Sequence, residues 1–146
     1  MRNTILIVIL SLVVFGCSKD KSASNPVLEY KSVNTTVLQY GQYINFTLSF
    51  TDTNGDADSL FIKNVNTNCP ASNFADSVLL PAFPSSKKLS GDITVSFGNG
   101  VNDNAPLLQP PLCSENDTCY FLFVLKDLSG KRSDTVKSPT IVINYK

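Results

Sequence analysis

The sequence predicts an all-β fold, an antiparallel sandwich of about seven strands. Three observations carry that expectation. Apolar and polar residues alternate in several short runs, turn-forming residues punctuate those runs, and no stretch shows a helical period.

The runs follow in chain order. Val27 to Val33 is irregular but rich in β-formers. In Tyr43 to Thr51, Ile44, Phe46, Leu48 and Phe50 alternate with Asn45, Thr47, Ser49 and Thr51, a period of two with one dry and one wet face. Leu60 to Val65 is again β-forming and less regular. From Asp92 to Ser96, Ile93 and Val95, with Phe97 next, go inward, while Thr94 and Ser96 go outward. Cys119 to Leu125 (CYFLFVL) is apolar throughout, as expected of a central strand covered on both faces. Thr140 to Tyr145 closes the series with Ile141, Ile143 and Tyr145 on one side. Asn54-Gly55, Ser90-Gly91, Gly98-Asn99-Gly100, Ser129-Gly130 and prolines at 81, 84, 106, 110, 111 and 139 supply turns between the runs. Short strands at this spacing specify a single Ig-like antiparallel β-sandwich over residues 27–146. The Trp and inter-sheet Cys pair of antibody domains are missing, so the expectation concerns architecture alone.

The amino end reads as an address. Arg2 precedes an apolar run from Ile5 to Phe15, interrupted by Ser11. A spanning helix needs about 20 apolar residues, so the run fits the apolar stretch of a signal peptide instead. It ends in Val14-Phe15-Gly16-Cys17, similar to a bacterial lipobox with a bulky Phe15 at its tolerant position. A lipoprotein signal peptide over residues 1–16 is therefore expected, with Cys17 carrying a diacylglyceryl thioether. Each buried methylene contributes about 0.8 kcal/mol, so two or more chains on one Cys anchor a protein stably. Residues 17–26, the lipidated Cys and polar SKDKSASN, form the tether. Ser18 follows Cys17 where an inner-membrane retention signal would place Asp, which favours the outer membrane, facing either the periplasm or the outside. The competing account is an ordinary secretory signal, or an uncleaved anchor, with Cys17 there by chance.

Composition removes several function classes. The 12 basic and 12 acidic residues are interspersed with no net charge, which gives no basic face for nucleic acid. There is no His, so nucleophilic sites with a His base and His-bearing zinc sites cannot be built. Carboxylate-pair chemistry remains open, with Glu29 and Glu115 the sole glutamates and the Asp residues mostly in turn-like contexts. The chain is not expected to be an enzyme.

Phe50 to Phe61 (FTDTNGDADSLF) gathers Asp52, Asn54, Asp56 and Asp58, which raises the question of calcium. Calcium takes six to eight oxygen ligands, and Asp52, Asn54 and Asp56 match the first three positions of an EF-hand loop. The match then fails: Gly55 precedes Asp56 instead of following it, and Lys63 stands where a bidentate Glu belongs. VNDNAP, Val101 to Pro106, resembles the short motif cadherins use between repeats, but it falls inside the single expected domain, with no following repeat expected to share the ion. Turn chemistry explains both stretches more simply, because Asp and Asn bond their own backbone and tolerate positive φ. A calcium-stabilised adhesion or glycan-binding domain stays as the alternative; otherwise no cofactor is expected.

With Cys17 lipidated, Cys69, Cys113 and Cys119 remain in disulfide-permissive surroundings. Cys113 and Cys119 bracket the polar loop SENDT and are the favoured pair, with Cys69–Cys113 the runner-up. Tyr30, Tyr40, Tyr43, Phe74, Phe83 and Tyr120 are candidates for an aromatic platform toward sugar or protein, though such residues usually pack. The long segment Cys69 to Pro84 is the favoured partner surface.

Three motifs carry a family resemblance: FTDTNGD at Phe50 to Asp56, the strand SGDITVSF, and DTCYFLFVLKDLSGKRSDTVKSPTIVI toward the end. Together they resemble a widespread group of small Bacteroidota lipoproteins, over about Gln42 to Tyr145. Lys131, Asp134 and Ser138 depart from the group's usual residues. The resemblance implies an Ig-like sandwich and no catalytic residues. The sequence thus predicts a lipid-anchored cell-envelope lipoprotein that acts as a non-catalytic binding or structural module. Its partners would be the membrane through the anchor and an envelope protein or glycan.

Overall fold

The strict alternation after Gln42 becomes the spine of one sheet in a computed structural model that describes residues 24–82, 88–101, 107–108 and 112–145. In chain order the described strands are β1 (Val27–Val33), β2 (Val37–Leu38), β3 (Gln42–Asp52), β4 (Ala57–Asn66) and β5 (Phe74–Leu79). Then come β6 (Leu89–Asn99), β7 (Leu107–Leu108), β8 (Asp117–Asp127), β9 (Val136–Lys137) and β10 (Ile141–Ile143). A 3-10 turn at Pro70–Ser72 precedes β5, and among the described residues no helix is long and apolar enough to cross a membrane.

The first sheet has the order β1-β3-β6-β7, and the second runs β2-β10-β8-β4-β5 with β9 also on β8. Neighbours are antiparallel except β10 with β2 and β6 with β7. The all-β sandwich expected from the sequence is the observed fold, and seven of its described strands run three residues or longer. The lipobox, Cys17, most of the tether, Phe83 and the stretch from Asn102 to Pro106 lie outside the described residues.

Period-two alternation sets the core. Ile44, Phe46, Leu48 and Phe50 of β3 face Cys119, Phe121, Phe123 and Leu125 of β8, all buried. The Phe46 ring lies 4.6 Å from Phe121 and 5.4 Å from Phe123, at the tilted geometries aromatic pairs prefer. Burying each such side chain contributes about 1.5–3 kcal/mol, so this seam dominates the stability of the sandwich.

β8 corrects one expectation. Its apolar run is not covered on both faces, because burial alternates along the whole strand. Tyr120, Leu122 and Val124 are half-buried on the outer side. Long cationic side chains cover part of that side: Lys137 Nζ sits 3.8 Å from the Tyr120 ring centre, and Arg132 caps Phe61 of β4 at 5.2 Å.

One edge of β8 is completed by two serines as well as by β9 and β10. Ser138 Oγ accepts the Phe121 N–H at 2.9 Å and its own N–H donates to the Phe121 carbonyl at 2.9 Å. Ser133 does the same with Leu125, at 3.0 and 2.9 Å. Each hydroxyl then donates to the carbonyl of the next residue, so both are fully used where strand pairing is interrupted.

Two further expectations change. Ser90-Gly91 is not a turn but part of β6, paired with Thr51 and Phe50. Cys69 to Pro84 is not a long recognition loop over its described part, because most of it forms the 3-10 turn and the edge strand β5.

Candidate functional site

The Asp52 loop shows what its oxygens do. Asp52 ends β3, fully buried, and its carboxylate accepts the N–H of Asn54 at 3.0 Å through Oδ1 and of Asp56 at 2.8 Å through Oδ2. Gly55 takes φ +73°, a left-handed conformation that costs glycine little. The residue expected to be the first calcium ligand is thus turned onto its own loop. Asp58 does not join the group: it lies in β4 at a bulge, between buried Ala57 and Ser59.

The structure brings in Asp127 instead, which the sequence analysis left unnamed. It ends β8, fully buried, and pairs with Ala57 at the start of β4. Burial raises the Asp56 carboxyl above its ordinary range, and the charges of Asp127 and Asp52 and a hydrogen bond with Asp52 push the same way. Asp56 Oδ1 and Asp127 Oδ2 are buried with no hydrogen-bond partner among the described residues. No three Cys, Asp or Glu side chains among the described residues are grouped to hold a metal ion.

The favoured disulfide is also corrected. Cys69 pairs with Cys113 across a Cα–Cα distance of 5.8 Å, and Cys119 is free. Cys119 cannot reach Cys113 because it stands inside β8 opposite Ile141, with its side chain fully buried in the core. Burial, and the charge of Asp117, push its thiol up to about 11 against an opposing hydrogen bond from Asn64. That thiol is not a nucleophile at neutral pH.

The aromatic candidates do not form one platform. Tyr30 is on β1 in one sheet and Tyr120 on β8 in the other. Phe74 packs inward, 5.6 Å from Phe97 and 6.2 Å from Phe121.

The structure also holds a cleft, to which no motif in the sequence points. It opens between β5 at the edge of one sheet and β6 in the other, with a volume of about 590 Å3. Phe50 and Leu60 lie at its base, and Val78, Leu80, Leu89 and Ile93 line its walls. Toward Phe97 the two sheets are closed by the Phe74 and Phe97 rings. Toward Leu89 they part, leaving Val78 43% exposed on the inward side of β5, directly across from buried Leu60. Asp92 is the one ionisable residue among the described residues of the lining, and its carboxylate receives a hydrogen bond from Lys31 at 2.8 Å. Among the described residues the arrangement offers apolar contact and no acid–base pair.

No family model and no curated protein matches the chain. Among solved structures it is similar to the sporulation control protein Spo0M from Bacillus subtilis, at 8% identity and TM-score 0.43 over 83% of this chain and 50% of that one. It is also similar to a Niemann-Pick type C2 protein from Japanese carpenter ant, at 12% identity and TM-score 0.43 over 83% and 96%. A third is the Pseudomonas fluorescens alkylpurine DNA glycosylase AlkC, at 12% identity and TM-score 0.41 over 83% and 31%. The chain spans half the length of the first of these. Likeness at this level carries no functional information.

Proposed function

We propose that this chain is a lipid-anchored module of the cell envelope that binds without catalysing, held to the outer membrane through Cys17. The observation that supports binding is the cleft between β5 and β6, about 590 Å3 and mostly apolar, within the size range of ligand sites. Its described lining residues include no pair of titratable groups that could act as acid and base. The anchor rests on the sequence from Ile5 to Cys17, and the tether then leads to a fixed place on the sandwich. Ser24 hydrogen-bonds Thr53 in the Asp52 loop, and Val27 pairs with Thr51 at the same end.

The test is expression of the full chain and a Cys17→Ser variant in a bacterium with an outer membrane, fed labelled palmitate. The expected result is label on the wild type that survives denaturation and solvent extraction, membrane fractionation of the wild type, and loss of both in the variant. Wild-type chain that is exported without covalent label would overturn the anchor.

A further inference from the structure

We infer that the cleft between β5 and β6 holds the hydrocarbon chain of a single fatty acid drawn from the adjoining membrane. This deepens the proposal of an anchored binding module and rests on it for the source of the ligand.

The inner face of β6 shows how the space arises. Leu89, Gly91, Ile93, Val95 and Phe97 share that face, and only Val95 and Phe97 are buried. Gly91 stands directly across from Phe50, which forms the base of the cleft. Among the described residues a Cβ on Gly91 would meet ring atoms of Phe50 at 3.4 and 3.9 Å, ordinary contact distances, so they leave room for an alanine methyl. Its φ lies outside the left-handed region, so the backbone does not require glycine there either. In a strand whose inward positions from Leu89 to Phe97 are otherwise Leu, Ile, Val and Phe, Gly91 adds no side chain to the inter-sheet space beside Phe50.

The lining selects the chemistry. Among the described lining residues the polar ones, Ser90, Asp92, Thr94 and Ser96, alternate along β6 with its inward positions, while Phe50, Leu60, Val78, Leu80, Ile93 and Val95 present hydrocarbon, and burial of hydrocarbon there is favourable at about 0.8 kcal/mol per methylene. Taking a methylene as about the volume of a water, ~30 Å3, a sixteen-carbon chain needs about 480 Å3. The cleft, at about 590 Å3, holds one such chain and not two, which favours a single-chain fatty acid over a diacyl lipid.

The chain ahead of the described residues supplies the source. Val27 pairs with Thr51, and Thr51 pairs with Ser90 in the cleft lining, so two strand spacings, about 10 Å, separate the end of the tether from the cleft. From Ser24 back to Cys17 the backbone reaches at most about 25 Å. A lipid on Cys17 therefore keeps the cleft within a few nanometres of the bilayer.

The experiment uses the domain from Ser18 to Lys146, which contains every described residue and the whole buried core. Tritiated palmitate is titrated onto it below the concentration at which palmitate forms micelles. The expected result is saturable binding at one per chain. Gly91→Leu, which fills the space over Phe50, and Val78→Lys, which places an ammonium at the wall, should each weaken binding at least tenfold. Both should unfold cooperatively, because Gly91 meets no backbone atom and Val78 lies on an edge strand. Leu128→Ser, which removes an exposed apolar side chain on the turn after β8, should leave binding unchanged. Folded wild type that binds no palmitate would overturn the proposal and leave the cleft edges to a strand-forming peptide partner. Equal binding by folded Gly91→Leu and Val78→Lys would also overturn it. Covalent labelling at Cys17 does not depend on the cleft, so failure of the anchor and failure of the ligand assignment give separate results.

Discussion

Asp52 and Asp127 perform the same task at neighbouring strand ends. Each is fully buried, and each carboxylate accepts the backbone N–H four residues on, from Asp56 at 2.8 Å and Lys131 at 2.7 Å. In both turns the third residue after the Asp is a glycine at positive φ, Gly55 at +73° and Gly130 at +87°. The two turns are tied together, because Asp127 pairs with Ala57 and the Leu128 N–H donates to the Asp56 carbonyl at 3.0 Å. The Asp-x-x-Gly pattern is thus a way of ending a strand of each kind in this sandwich, with the carboxylate replacing a lost ladder partner.

Removing either carboxylate strands its N–H donors. Asp52→Ala leaves the N–H groups of Asn54 and Asp56 without their acceptor, and Asp127→Ala leaves that of Lys131. A buried donor left unsatisfied costs about 1–3 kcal/mol. Either substitution relieves a charge that faces Asp56, so the two stranded donors of Asp52 against the one of Asp127 set the order. Denaturant unfolding should therefore rank Asp52→Ala as the more destabilised of the two, and the reverse order would contradict this account of the turns.

Asp56 should give the sandwich a pH dependence of unusual sign. Burial, then Asp127 and Asp52, raise its folded pKa above the ordinary 3.8, so the native state binds the proton more tightly than the unfolded chain does. Between those two pKa values stability falls as pH rises, and above the folded value the penalty is constant. Asp56→Asn removes the titration and keeps the backbone donor to Asp52. The variant should melt higher than wild type at pH 7, and the gap should close as pH falls toward 4. A gap that persists unchanged at pH 4 would mean that charge on Asp56 is not its cause.

Calcium is the second readout on the same loop. Both Asp52 oxygens already accept N–H groups, and Asp58 is carried away on β4. Thermal unfolding in a calcium titration from EDTA to millimolar should leave the melting temperature unchanged. A saturable rise, lost in Asp56→Ala, would show native-state binding and restore the adhesion alternative.

The strands were legible because one face of each is buried, which writes a period of two into Tyr43 to Thr51 and Asp92 to Ser96. Asp52 was legible as turn chemistry for the same local reason. Asp127 was not singled out, because its partner Asp56 comes from a turn far off in sequence and meets it only through the pairing of β4 with β8. The cleft was hidden for a related reason. Ser90-Gly91 looks like a turn, and only the register of β6 on β3 shows that Gly91 is a missing side chain above Phe50. Cys119 was assigned to a loop bond by nearness in sequence, whereas strand parity turns it into the core.

That parity leads to the last prediction. The Cys69–Cys113 bond closes a loop of 44 residues, which by the chain-entropy relation stabilises the fold by about 4 kcal/mol. It joins the 3-10 turn ahead of edge strand β5 to the loop ahead of central strand β8, so it also holds β5 in place. Cys69→Ala with Cys113→Ala should lower stability by a few kcal/mol. Cys119 provides the control within the same molecule. Its thiol is fully buried and pushed up to about 11, so a thiol reagent at pH 8 should label the native wild-type domain slowly and only through unfolding. The double variant should label faster at that one position, by about tenfold for each 1.4 kcal/mol of stability lost. Rapid labelling of Cys119 in the native wild type would place it outside the core and return it to the candidates for the Cys113 bond.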